Sequence, residues 1–339
     1  MKTFSLETIP KYLKGTSVAL GVFDGLHRAH RMIIDNLKND AAKRGCHAMV
    51  ITFDPHPRQV IKDERKPIGV LTTLNEKVSL LENWGIEYLL VLPSTRQFLQ
   101  QSPVTFVRDI LVEKLQVCAV FIGYDYRFGY QRQGDATRLR QLGEELGFKV
   151  EVFPEFTYEG ELIKSSTIRQ YLLAGNVQAA NRLLGRPYSF VGMVVPGSGR
   201  GRQLGFPTAN LKVLAEEKLI PGQGVYLSQV GQYFGMLNIG VRKTFGEDKL
   251  TIEIHLIDFP NKELYGELLT VSVLERYGAG KSVSRLASPS ETTITVIFSE
   301  VASKIRKTFA RVCSSPLGSF SLAKKMIALF ILILLSINL

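Results

Sequence analysis

Apolar residues in the first half of the chain come in compact runs separated by stretches with one apolar face, and the two kinds of stretch alternate. Val18-Ala19-Leu20 runs into Gly21 as a strand, and after Gly25 the residues Ile33, Ile34, Leu37 and Ala41 share one helical face. Gly45 stops that helix, and Ala48–Phe53 is the next apolar strand. The same reading predicts helices over Lys77–Trp84, Pro103–Leu115, Ala136–Leu146 and, as the last of them, Ser165–Leu173. It predicts strands over Ile86–Leu92, Val117–Ile122 and Phe148–Phe153. Near-continuous apolar strands between amphipathic helices imply a parallel sheet covered on both faces, with ligands at the carboxyl ends of the strands.

Beyond Gly185 the pattern changes to short segments between Gly- and Pro-rich turns: Phe190–Val195, Gly224–Val230, Gln232–Leu237, Thr251–Ile257 and Leu268–Val273. This spacing points to an antiparallel barrel or sandwich, with a domain boundary near residues 180–187. In Leu250–Asp258, Ile252, Ile254 and Leu256 fall on one strand face, with Glu253 and His255 on the other.

With 339 residues there is room for about two domains. Composition is ordinary for a globular protein: 45% hydrophobic and 22% charged. The net charge of +11 invites a polyanionic partner. More than half of it, however, sits in residues 274–339, where nine Lys/Arg face three Asp/Glu. No basic stripe with stacking aromatics accompanies it, so no nucleic-acid partner is expected and small nucleotides account for the excess. Cys46, Cys118 and Cys313 are too few and too scattered for a disulfide framework or a zinc ribbon, which suits neutral thiols in a reducing cytoplasm. The N-terminus has no apolar signal region, and the ten apolar residues Met326–Leu335 fall short of a bilayer span.

Candidate chemistry concentrates at the first strand-to-helix turn, Gly21-Val22-Phe23-Asp24-Gly25-Leu26-His27-Arg28-Ala29-His30. Glycines let a backbone turn sharply and approach a phosphate, and a helix N-terminus there favours the anion. His27 and His30, three apart, can address one ligand. Zinc is excluded for the pair, because no third or fourth ligand sits at a workable spacing. Ser165 and Ser166 fall at a predicted helix start, with Arg169 a turn further on, a second place suited to phosphate oxygens. In the second half, Gly197–Gly205 is a glycine-rich loop with Arg200 and Arg202 but no P-loop ending. Thr208 and Asn210 follow, two apart in an extended segment and suited by their oxygens to a nucleotide-bound Mg²⁺.

These segments together resemble the bacterial bifunctional riboflavin kinase/FMN adenylyltransferases, or FAD synthetases. The turn resembles their G-x-F-D-G-x-H-x-G-H signature, with Ala29 in place of the glycine between the two histidines. Thr52–Pro57 resembles T-F-x-P-H-P, Gly123–Gly129 resembles G-x-D-F-x-F-G, and Ser165–Arg169 resembles S-S/T-x-I-R. Gly185–Tyr188 and Gly205–Asn210 are similar to the entry of the flavokinase domain, and Leu237–Gly240 to its N-I-G segment. The resemblance implies a Rossmann-like nucleotidylyltransferase domain over 1–184 and a flavokinase β-barrel over 185–273. It implies adenylyl transfer from ATP to FMN, giving FAD, at His27, His30 and Arg169, with Gly21, Phe23, Asp24, Gly25, Asp125, Ser165 and Ser166 binding the nucleotide. It further implies phosphorylation of riboflavin with Glu253 as base, Thr208 and Asn210 on Mg²⁺, and Gly205 and Asn238 in binding; His56 has a weaker claim to face ligand. Beyond Val273 the family's continuation is not found, so residues 274–339 read as an atypical tail, either a shifted frame or a lineage-specific replacement. If that change disables the barrel, the alternative is an adenylyltransferase with an inactive flavin-binding module.

Overall fold

Strand β2 (Thr16–Leu20) is buried along its whole length because it lies in the middle of a sheet with both faces covered. In a computed structural model of the chain, the described residues are 1–10, 13, 15–61, 68–197, 208–244, 247–260 and 262–279. They fall into two units. The first comprises Met1–Thr167 and Glu217–Leu219; the second takes Ile168–Glu216 and the chain from Ile220 onward.

The first unit holds a six-stranded parallel sheet in the order β1 (Lys2–Phe4), β4 (Tyr88–Pro93), β3 (His47–Asp54), β2, β5 (Val117–Gly123), β6 (Lys149–Phe153). Residue alternation sorts two cores. Val18, Leu20, Met49, Ile51, Val120 and Ile122 face one way, and Ala19, Ala48, Val50, Leu89, Ala119 and Phe121 the other. Helices α1 (Arg28–Arg44) and α3 (Leu74–Asn83) bring Ile34, Leu37 and Leu81 to the second face. On the first face lie α6 (Ala136–Leu146) and the helix that begins as α5 (Pro103–Thr105) and continues as a π-helix over Phe106–Lys114. Short helices α2 (Pro57–Ile61) and α4 (Arg96–Leu99) and the hairpin β7 (Thr157–Tyr158)–β8 (Glu161–Leu162) complete this unit's elements.

After β2 the chain builds outward through β3 and β4, then returns to β2's other side with β5. The carboxyl end of β2 is therefore the topological switch point, the place where α/β sheets open to ligands. The first helix ends where Gly45 adopts φ 65°, a left-handed conformation that glycine takes without strain.

The second unit contains most of α7 (Ser165–Leu173), then α8 (Val177–Leu184) and a closed antiparallel barrel. The barrel runs in the order β10 (Ala209–Val213), β13 (Glu247–Leu256), β12 (Tyr233–Thr244), β11 (Gly224–Val230), β14 (Leu268–Ala279), β9 (Tyr188–Val195). Closure removes the unpaired strand edges a sandwich would leave. Ser165–Leu173 is not the last helix. Asn176 caps α8 by accepting from the Ala179 N–H, and Gly185 ends it at φ 78°. Val177, Ala180, Leu183 and Leu184 are buried on one face. Eight residues are too few for periodicity alone to stand out from the adjoining loop.

Strand β14 continues past its expected end at Val273. Arg276 there donates to the Ala174 and Gln223 carbonyls, closing the end of α7 against the barrel. Residues 280–339, with Cys313 and the run Met326–Leu335, lie outside the described residues. Among those described, no helix is long and apolar enough to cross a membrane.

Candidate active sites

The turn after β2 is shaped by its own side chains. Gly21 lies under the Phe23 ring, where a Cβ would come within 3.2 Å of the ring. Gly25 has φ 91°, and Phe23 and Leu26 also take positive φ, which their burial in the core makes tolerable. Asp24 is buried, and its Oδ1 accepts from the Leu71 and Thr72 amides at 2.9 and 3.1 Å. Thr72 Oγ1 in turn accepts from the Gly25 N–H at 3.0 Å. Asp24 and Phe23, expected to bind nucleotide, thus form the frame of the turn.

His27 is the N-cap of α1, and its Nδ1 accepts from the His30 N–H at 3.4 Å. The two imidazoles stack with centroids 3.6 Å apart, and the Phe23 ring meets His30 edge-on at 5.1 Å. Ser165 is the first residue of α7, and its hydroxyl donates to the Asp24 carbonyl at 2.9 Å. The first residue of α7 is thus tied to the turn that leads into α1, and helix N-termini carry unpaired N–H groups and a positive dipole end. Ser166 follows, exposed, and Arg169 lies one turn along the same helix, buried. Asp125 is exposed at the carboxyl end of β5. His56 Nδ1 accepts from the Arg58 N–H at 3.1 Å, a local role in its own loop.

Sequence reasoning missed the residue beneath the turn. Lys77, 5% exposed, donates from Nζ to the Val22 carbonyl at 2.9 Å and to Thr52 Oγ1 at 3.0 Å. Desolvation holds its ammonium below the usual lysine range, with Asp24 and Asp54 opposing that shift. Lys77 stands one helical turn before Leu81, and both are buried on the same side of α3.

In the barrel, register assembles the second group. Glu253 on β13 pairs with Asn210 on β10 and with Asn238 on β12, so the three stand in one row across three strands. Ile252, Ile254 and Leu256 are buried and Glu253 is half-buried on the opposite face, as the alternation predicts. Thr208, half-buried, immediately precedes β10. The Asn210 amide packs against Gly197, where any Cβ would collide with it. Gly205, Arg200 and Arg202 lie outside the described residues. Among the described residues no cluster of three His, Cys, Asp or Glu is placed to hold a metal.

A phosphate-suited helix start at the switch point of a parallel sheet, followed by a six-stranded barrel with a carboxylate between two asparagines, defines a nucleotide-dependent transferase of two modules. Residues 9–167 match the FAD synthetase family and residues 184–287 the riboflavin kinase family. The bifunctional riboflavin kinase/FMN adenylyltransferase of Listeria monocytogenes is 39% identical over 74% of this chain and 80% of its own. The Escherichia coli K12 protein of the same name is 33% identical over 86% and 92%. A crystal structure described as a macrolide-efflux protein from Streptococcus pneumoniae superposes with a TM-score of 0.73 at 29% identity, covering 84% of this chain and 96% of that one. The chain belongs to the bifunctional riboflavin kinase/FMN adenylyltransferase family.

Proposed function

We propose that the chain carries out both reactions of its family, phosphorylating riboflavin to FMN and adenylylating FMN to FAD, with the residues assigned as follows. In the first unit an FMN phosphate oxygen attacks the α-phosphorus of ATP, the bond to the β-phosphate bridging oxygen breaks, and pyrophosphate leaves. His27 and His30 donate to the phosphate oxygens, and Ser165, Ser166 and Arg169 share the charge. No covalent enzyme intermediate is needed, since positioning and electrostatic stabilisation suffice. Gly21, Phe23, Asp24, Gly25 and Asp125 shape the nucleotide's seat. The observation that carries this reading is the tie between the first residue of α7 and Asp24, in the turn that leads into α1 and its stacked histidines.

In the barrel, Glu253 takes the proton of the riboflavin 5′-hydroxyl as that oxygen attacks the γ-phosphorus, and ADP leaves. Asn238 lies beside it for the flavin, and Gly205 belongs to the glycine-rich loop assigned to the phosphates. Thr208 and Asn210 offer neutral oxygens of the kind Mg²⁺ accepts, and the seat of Asn210 against Gly197 supports a fixed donor. Mg²⁺ bound with ATP would neutralise phosphate charge. The free thiols of Cys46 and Cys118 suit a cytoplasmic setting.

Chromatography of products from MgATP with riboflavin and with FMN, in separate reactions, tests the assignment. FAD from both substrates is expected. FAD from FMN alone reduces the reading to the adenylyltransferase, and no product from either refutes it.

A further inference from the structure

Glu217, Lys218 and Leu219 lie in the stretch matched to riboflavin kinase, yet they belong to the first unit. Val70 and Lys218 form a parallel bridge: the Val70 N–H donates to the Glu217 carbonyl at 2.7 Å, and the Leu219 N–H donates to the Val70 carbonyl at 2.9 Å. Leu219 is buried directly over Gly69, where a Cβ would lie 3.0 Å from the leucine Cβ.

The Lys218 side chain is 2% exposed. Its ammonium donates to the Leu71 carbonyl at 2.7 Å and to Glu76 Oε2 at 2.5 Å. Both acceptors support the nucleotide turn. The other side of Leu71, its N–H, donates to Asp24. Glu76 completes the capping box of α3 by accepting from the Thr73 N–H at 3.0 Å, and the next residue of that helix, Lys77, holds the Val22 carbonyl. A buried ammonium with two acceptors is costly to place and demands fixed geometry from both.

We propose that Lys218 is a positioning residue for adenylyl transfer, supplied by the kinase-matched part of the chain: by clamping Leu71 and Glu76 it fixes the strip that holds Asp24 and Gly25 in place. The inference rests on assigning adenylyl transfer to the His27 turn. It also means that the adenylyltransferase fold is incomplete when the chain is cut at residue 184, because Glu76 then loses its buried counter-charge.

The experiment uses the full chain with Lys218→Met, and Lys218→Met combined with Glu76→Gln to remove the stranded carboxylate. The rate of FAD formation from FMN, the KM for FMN, the rate of riboflavin phosphorylation and the amide exchange of Leu71 and Thr72 are measured for each. The expected result in Lys218→Met is a fall of at least tenfold in kcat for FAD formation, with KM for FMN and the kinase rate within twofold of the parent. Faster exchange at Leu71 and Thr72 should accompany it, with β2 and β3 amides unchanged. The urea midpoint of unfolding, lowered in Lys218→Met by the stranded Glu76 carboxylate, should return in the double variant while kcat stays low. Parental kcat in Lys218→Met, or recovery of kcat together with stability in the double variant, overturns the role of Lys218. A parent protein that makes no FAD from FMN overturns the underlying assignment instead, and the inference with it.

Discussion

Glu253 on β13 stands directly opposite Asn210 on β10, although 43 positions separate them along the chain. Antiparallel partners point to the same face, so the carboxylate assigned to proton transfer and the amide assigned to Mg²⁺ share a surface without any local sequence signal. Replacing Glu253 with Gln keeps the shape and removes the base. Riboflavin phosphorylation should fall by about 10²–10⁴-fold. FMN adenylylation by the same preparation should not change, and product chromatography reads both.

His27 caps α1 and is proposed here to face ligand, and one substitution separates the two roles. Asn is among the best N-cap residues, so His27→Asn should leave the melting temperature close to that of the parent. FAD formation from FMN should drop by about 10²–10³-fold, the usual cost of losing one donor to a developing charge. A normal rate would reduce His27 to its capping role.

Lys77 makes stability depend on alkaline pH. Burial lowers its pKa in the folded state below the unfolded value. Between those two values the unfolded chain binds the extra proton, so this residue's contribution to stability rises with pH across that window. Lys77→Met should remove that rise and also take away the ammonium's two bonds, to the Val22 carbonyl, which still accepts from the Thr52 hydroxyl, and to Thr52 Oγ1, costing about 1–3 kcal/mol. Urea unfolding of both proteins from pH 7 to 10.5 tests the two effects.

The Tyr126 hydroxyl is fully buried and has no hydrogen-bond partner among the described residues, and desolvation pushes its pKa up. The ring stacks on Phe128 with centroids 5.8 Å apart, a contact that phenylalanine preserves. Tyr126→Phe should therefore stabilise the first unit by roughly 1 kcal/mol, since an unsatisfied buried polar group is removed. A lower urea midpoint would contradict this.

Cys46 and Cys118, too distant in sequence to suggest a pair, come together with their sulfurs 2.6 Å apart. Burial, then the hydrogen bond and charge of Cys46, push the Cys118 thiol up to about 11. Iodoacetamide labelling of Cys118, followed by peptide mass spectrometry, should rise with pH towards that value. Cys46→Ala should move the profile to lower pH, because two of the raising influences disappear while burial remains.

Hydrophobic period and turn chemistry alone determined the parallel sheet, the phosphate-suited turn at Gly21–His30 and the change of architecture near Gly185. Those features are local: a face every 3.6 residues, an alternation of two, a glycine where φ is positive. The boundaries of α6 and α7 were legible for the same reason. The short α8 and β1 were not, since eight- and three-residue elements carry little periodic signal and owe their form to the neighbours they pack on. Barrel closure, the row of Asn210, Glu253 and Asn238, and the thiol pair were decided by strand register and sheet order. Lys77 and Lys218 are the plainest case. A lysine in sequence reads as surface, and only a fold that brings backbone carbonyls and a carboxylate to its ammonium makes burial affordable.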